Sequence, residues 1–137
     1  MLRSGWLNDR VPRGRIGDAW MRLKSFQIVV DDLERSVWFY SELFGLSVLA
    51  HHGTYVVMSG GLVLQEKRSW MMLTDMEPVR PNGACELYFE DDNVSGFAKK
   101  VVSYGFELVS DVSVQADGRK ALWLYDPDGH LIEVKET

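Results

Sequence analysis

Two segments of this chain follow one plan, and that repeat limits the fold more than any other feature. Asp31-Asp32 followed by Gly45 recurs as Asp91-Asp92 followed by Gly105, at one constant offset with no gap. Further along, Met58-Ser-Gly-Gly-Leu-Val-Leu-Gln65 is a turn followed by a short strand. Asp126-Pro-Asp-Gly-His-Leu-Ile-Glu133 has the same order, Gly61 to Gln65 matching Gly129 to Glu133. Self-similarity of this kind implies two copies of one supersecondary unit. Each half reads as strand, helix and then three strands.

The local patterns give that reading its elements. From Leu23 to Asp31, Phe26, Ile28 and Val30 alternate with Ser25, Gln27 and Val29, a period-two pattern with one apolar face. Asp31-Asp32 can cap the helix that follows, in which Leu33, Val37, Phe39-Tyr40 and Leu43 recur at helical spacing until Gly45 supplies the stop. Short strands follow over Leu46 to Ala50, Thr54 to Met58 and Leu62 to Gln65. The second half repeats this as a strand from Cys85 to Glu90 and Asp92 before a helix carrying Val94, Phe97, Val101 and Tyr104. Gly105, a strand from Phe106 to Ser110 and a terminal hairpin over Leu122 to Lys135 complete it.

The hairpin turn is Asp126-Pro127-Asp128-Gly129. Proline presets φ for the first corner, Asp126 can accept backbone N–H bonds across the turn, and Gly129 supplies the positive φ from which the last strand starts. In that strand Glu133 shares a face with Leu131, opposite Ile132 and Val134. A carboxylate aimed into a half-apolar face invites a functional explanation.

Between the halves, Lys67 to Ala84 shows no clear pattern, and so long a connection in a compact domain usually serves as a lid or interface. Trp70, Met71, Met72, Leu73 and Met76 crowd its start, as a short helical turn packed on the sheet or as a lid over a ligand pocket. Monomers seldom leave such an apolar patch open, so a two-fold homodimer is expected, with the Trp70 segment bordering the cleft.

The chain has 137 residues, a formal charge of −5 and a pI near 5.1. That balance, with no basic face visible, argues against a nucleic-acid groove. No run is long and apolar enough for a membrane span. A single cysteine, Cys85, excludes an internal disulfide and a thiolate-rich zinc site, and the cytoplasm is the expected location. Residues 1–21 read as a disordered N-terminal extension, with Arg3, Arg10, Arg13 and Arg15 among Gly, Pro and polar residues. Met21 stands just before the first strand, so residues 1–20 are expected to be a non-native or mis-assigned start. Residues 22–137 then form one domain, with module one over 22–66, a linker over 67–84 and module two over 85–137.

The runs Ile28-Val-Val-Asp-Asp-Leu-Glu-Arg-Ser-Val-Trp-Phe-Tyr-Ser-Glu-Leu-Phe-Gly45, Glu86-Leu-Tyr-Phe-Glu-Asp-Asp92 and Tyr125-Asp-Pro-Asp-Gly-His-Leu-Ile-Glu133 together resemble the vicinal oxygen chelate superfamily. That superfamily includes glyoxalase I, the bleomycin-resistance proteins and extradiol dioxygenases. The resemblance covers Leu23 to Thr137 and implies an α+β fold of two tandem βαβββ modules whose sheets curve around a cleft. It also implies metal ligands on the first and last strands of each module. The first-strand position, usually His or Gln, falls on Ser25, a poor divalent-metal ligand. Gln27 shares that face but lies roughly 6.6 Å along the strand. The fourth-strand position falls on Gln65, where the enzymes have Glu or His. The fifth-strand position falls on Glu86, or on Cys85 at the strict repeat offset, where His is usual. Only the last position, Glu133, matches.

An inventory of Glu86, Glu133 and the amide of Gln65 is a degenerate metal site, with no histidine at an expected position. His51 and His52 read as exposed strand ends, and His130, of the wrong parity to share the Glu133 face, as surface. Glu86 and Glu133 occupy pseudo-equivalent ends of the cleft, and two carboxylates that approach without a cation tend to share one proton. Tyr88 and Glu90 continue the Glu86 face, while Tyr55, Trp123 and Tyr125 lie on strands that can bring their rings into the same cleft. The expected pocket therefore comprises Ser25, Gln27, Tyr55, Gln65, Trp70, Glu86, Tyr88, Trp123 and Tyr125. The expected function is binding of a small molecule between the modules, with no cofactor and without a complete transition-metal site. The alternative is a divalent-metal-dependent, glyoxalase-type lyase or dioxygenase in which Glu133 is ligand and base; metal-free base catalysis by Glu133 is a third reading.

Overall fold

The computed structural model describes residues 21–137. The extension expected over residues 1–21 lies, but for Met21, outside the described residues. Module one contains β1 (Phe26–Val30), α1 (Leu33–Glu42), β2 (Val48–His51), β3 (Tyr55–Met58) and β4 (Leu62–Glu66). A connecting helix, α2 (Lys67–Thr74), leads to module two: β5 (Asn82–Asp91), α3 (Val94–Ser103), β6 (Leu108–Val114), β7 (Lys120–Tyr125) and β8 (His130–Glu136). The sheet orders are β1-β4-β3-β2 and β5-β8-β7-β6. In each, the first and last strands pair in parallel and the others are antiparallel. Two βαβββ modules in an α+β fold are thus present. No helix among the described residues is long and apolar enough to cross a membrane.

The alternation read in the strands sorts their faces as expected. Ile28, Val30, Val56, Leu64, Leu122, Leu124, Ile132 and Val134 turn inward toward α1 and α3, which add Leu33, Phe39, Tyr40, Val94 and Val101 to one core spanning both modules. Burying a side chain such as Phe39 contributes roughly 1.5–3 kcal/mol, and its ring also meets Tyr40 and Phe106 edge-on. The opposite faces carry Gln27, Val63, Gln65, Glu86, Tyr88, Leu131, Glu133 and Trp123.

Strand pairing corrects the gap-free repeat. Ile28 pairs with Leu64 as Leu87 pairs with Ile132, so the counterpart of Glu86 is Gln27, and neither Ser25 nor Cys85 occupies the repeated position. At the helices the match is between Asp32, which accepts from Arg35 N, and Asn93, which accepts from Gly96 N; Asp92 is not the cap. The cause is that β5 continues its pairing with β8 through Glu90 and Asp91, two residues past the point equivalent to the end of β1. The chain recovers the spacing before Gly105. The connection holds the helical turn that was one of its two readings, Lys67–Thr74, and β5 begins at Asn82 rather than at Cys85.

The terminal turn is the joint between the modules. Asp128 Oδ1 accepts from Asp31 N at 3.2 Å and from Arg35 Nη2 at 3.1 Å, and Ser36 Oγ reaches Asp128 Oδ2 at 3.5 Å. Arg80 adds Nη1 to Asp31 Oδ1 at 2.6 Å and Nη2 to Val29 O at 3.0 Å. These contacts set the edge strands β1 and β5 beside each other, so that Gln27 and Val29 border one cavity with Cys85 and Glu86.

Candidate functional site

At the pseudo-equivalent positions each module makes its own polar pair. In module one Gln65 Nε2 donates to Gln27 Oε1 at 2.7 Å, with Tyr55 opposite Gln65 in the register. In module two Glu133 stands between Tyr88 on β5 and Trp123 on β7. The Trp123 indole reaches over β8, and its Nε1 donates to Glu86 Oε2 at 3.0 Å. The Glu86 carboxyl is also a close neighbour of Glu133. Burial first, and then that neighbouring carboxylate, push the Glu133 carboxyl up to about 7. Two acids that share a site resist double ionisation, so Glu133 keeps its proton over the acid range and loses it near neutrality.

The resemblance implies a metal among these donors. Gln27, Gln65, Glu86 and Glu133 offer oxygen only. The two amides are engaged with each other, Glu86 accepts an indole N–H, and Glu133 retains a proton to about 7. No group of three or more His, Cys, Asp or Glu among the described residues is arranged to hold a metal ion. This set does not fit zinc, nickel or iron, which favour imidazole and thiolate.

Two cavities adjoin the polar pairs. One, of about 340 Å³, lies at the seam of β1 and β5, with Gln27, Val29, Glu86 and Leu131 on its walls and Trp70 and Met76 contributed by the connection. The other, of about 490 Å³, lies on module one alone and is lined by Ser25, Gln27, Tyr55 and Val63. The expected pocket is therefore divided. Gln27 borders both spaces, Glu86 and Trp70 border the seam, and Ser25 and Tyr55 belong to the second cavity. Gln65, Glu133 and Trp123 connect to them only through neighbours. Tyr88 donates its hydroxyl to Glu90 Oε2 at 2.7 Å and is half-exposed, and Tyr125 stands opposite Leu131. Neither tyrosine is on a wall of these cavities.

His130 is the main correction. It is not a surface residue: its side chain is 14 % exposed, it lies on the seam wall, and its Nδ1 is 2.7 Å from Asp126 Oδ2. Parity relative to Glu133 does not decide its surroundings, because the turn places the residue on the seam wall beside Asp126. The available signal was the i, i+4 spacing of Asp126 and His130 across a tight turn. Tyr40, fully buried, donates to Asp126 Oδ2 at 2.7 Å, while Oδ1 accepts from the backbone N–H groups of Asp128 and His130. Burial would raise the Asp126 carboxyl, but the His130 ring and these donors outweigh it and hold it below its ordinary value.

A glyoxalase-like domain family model matches residues 23–137. No curated protein matches the chain. Among solved structures, a protein of unknown function from Agrobacterium tumefaciens is 28 % identical, with a TM-score of 0.74 over 88 % of this chain and 98 % of that one. A glyoxalase/bleomycin resistance protein/dioxygenase family enzyme from Burkholderia phytofirmans is 14 % identical, with a TM-score of 0.73 over 85 % and 98 %. A lactoylglutathione lyase from Agrobacterium tumefaciens is 22 % identical, with a TM-score of 0.63 over 88 % and 95 %.

Proposed function

The chain belongs to the glyoxalase-like domain family, and on that premise we propose that it binds a small molecule at the seam of its two βαβββ modules without a transition-metal ion. The observation that carries this reading is the cavity of about 340 Å³ between β1 and β5. Its size suits a small ligand, and its apolar walls with a few polar groups are what orient one. Gln27 and Glu86, the equivalent residues of the two modules, supply a neutral amide and a carboxylate there. Trp123 holds Glu86 in place through its indole, and Glu133 supplies a proton store beside it.

The same reading includes a homodimer and a cytoplasmic location, the latter argued from the single Cys85. Met72 and Leu73 are 81 % and 84 % exposed, and Met76 and Val79 extend that apolar strip along the connection that borders the seam. A second copy covering the strip would close the cavity from outside.

Elemental analysis of protein purified without chelators, followed by thermal-shift screening of small aromatic and cationic compounds, tests the proposal. Sub-stoichiometric Zn, Ni, Mn and Fe together with ligand-dependent stabilisation are expected. One equivalent of such a metal, with activity lost on chelation and restored on re-addition, would establish the lyase or dioxygenase reading instead.

A further inference from the structure

The turn that joins the modules also delivers an imidazole to the seam. Asp126 needs no ring for its own sake, since two backbone N–H groups and the Tyr40 hydroxyl already satisfy it. Its ionised carboxylate only accepts hydrogen bonds, so the His130 Nδ1 at 2.7 Å must be the donor. In the neutral ring that leaves the lone pair on Nε2. Nε2 has no hydrogen-bond partner among the described residues and is not sealed from solvent, and the residue lies on the cavity wall. A buried chain, Tyr40 to Asp126 to His130, therefore fixes one tautomer and leaves an unused acceptor on a residue that borders the space assigned to the ligand.

The rest of that wall selects the partner. Among the described residues, Glu77 and Glu86 are the carboxylates of the lining, no Lys or Arg belongs to it, and Val29, Trp70, Leu87 and Leu131 are apolar. An anion would be repelled, and a purely apolar molecule would leave the imidazole without a donor. We propose that His130 is a ligand-binding residue of the seam cavity, and that the cavity takes a mostly apolar, non-anionic small molecule whose hydroxyl donates to Nε2. This rests on the small-molecule reading of the seam and names the contact that gives it specificity.

The test compares p-cresol with p-xylene, which differ by one hydroxyl, on the full chain and on His130→Asn. Binding is located by NMR shifts of the Val29 and Leu131 methyl groups. The expected result is that both compounds perturb those methyls and that p-cresol binds about tenfold more tightly, one net hydrogen bond. The variant should lose that preference, so that the ratio of the two affinities falls to about one. Equal binding of the two compounds at the seam, or a preference that survives His130→Asn, would overturn the role of His130 and leave the small-molecule reading standing. No perturbation by either compound would overturn both. If the variant does not fold, the ¹⁵N shift of His130 Nε2 in the unmodified protein decides: p-cresol should move it and p-xylene should not, and equal responses reject the proposal.

Discussion

Tyr40 in the first module donates its hydroxyl to Asp126 in the second at 2.7 Å, and both side chains are buried. The bond ties helix α1 to the turn that begins β8, so it acts on the fold and on the position of His130 together. Tyr40→Phe leaves the ring packing intact and removes one donor from a buried carboxylate. We expect a loss of about 1–3 kcal/mol in equilibrium denaturation. A stability within experimental error of the unmodified chain would show that the joint does not depend on this bond.

Gly129 is held on two counts. Its φ is 85°, and a Cβ there would meet Pro81 Cα at 3.1 Å. Gly118 has the same φ with open space around it. Gly129→Val should therefore destabilise by on the order of 1–3 kcal/mol from backbone strain, with crowding against Pro81 added. Gly118→Val provides the comparison without crowding, and equal losses at the two sites would deny the contact with Pro81.

The acid pair gives stability a definite pH dependence. The Glu133 carboxyl is raised from 4.5 to about 7 by burial and by Glu86. Between those values the folded chain holds a proton that the unfolded chain has released. This group's contribution is therefore complete below about pH 4.5 and is lost as pH rises through about 7. Chemical denaturation across that window should show the decline, and Glu133→Gln should flatten it. An unchanged profile in the variant would place the titrating group elsewhere.

Much of the fold was legible because it rests on short-range signals. The alternation around Ile28, the cap at Asp32 and the turn at Gly129 each depend on neighbouring residues, and each stands where expected. The site was less legible because it depends on register. The acidic pairs Asp31-Asp32 and Asp91-Asp92 suggested an alignment that placed Ser25 opposite Cys85, whereas strand pairing matches Gln27 with Glu86. Two further paired residues at the end of β5 account for the displacement, and nothing in the local composition marks them. His130 is hidden for a related reason: its placement is fixed by a carboxylate across the turn and not by strand parity.

Association should depend on the exposed strip of the connection. Leu73→Asp places a charge among Met72, Met76 and Val79 without touching the Gln27 or Glu86 pairs. Light scattering at micromolar concentration should give a dimer mass for the unmodified chain and a monomer mass for the variant. A monomer in both cases would mean that a second copy does not cover the strip.

Metal-free recognition at the seam is tested most directly by methyl NMR of chelator-treated protein against a small aromatic fragment set, repeated with added Zn or Mn. The account predicts that fragments shift the Val29 and Leu131 methyls in metal-free protein and that added metal leaves their affinities unchanged. Fragments that bind only after metal is restored, or that bind away from β1 and β5, would contradict it.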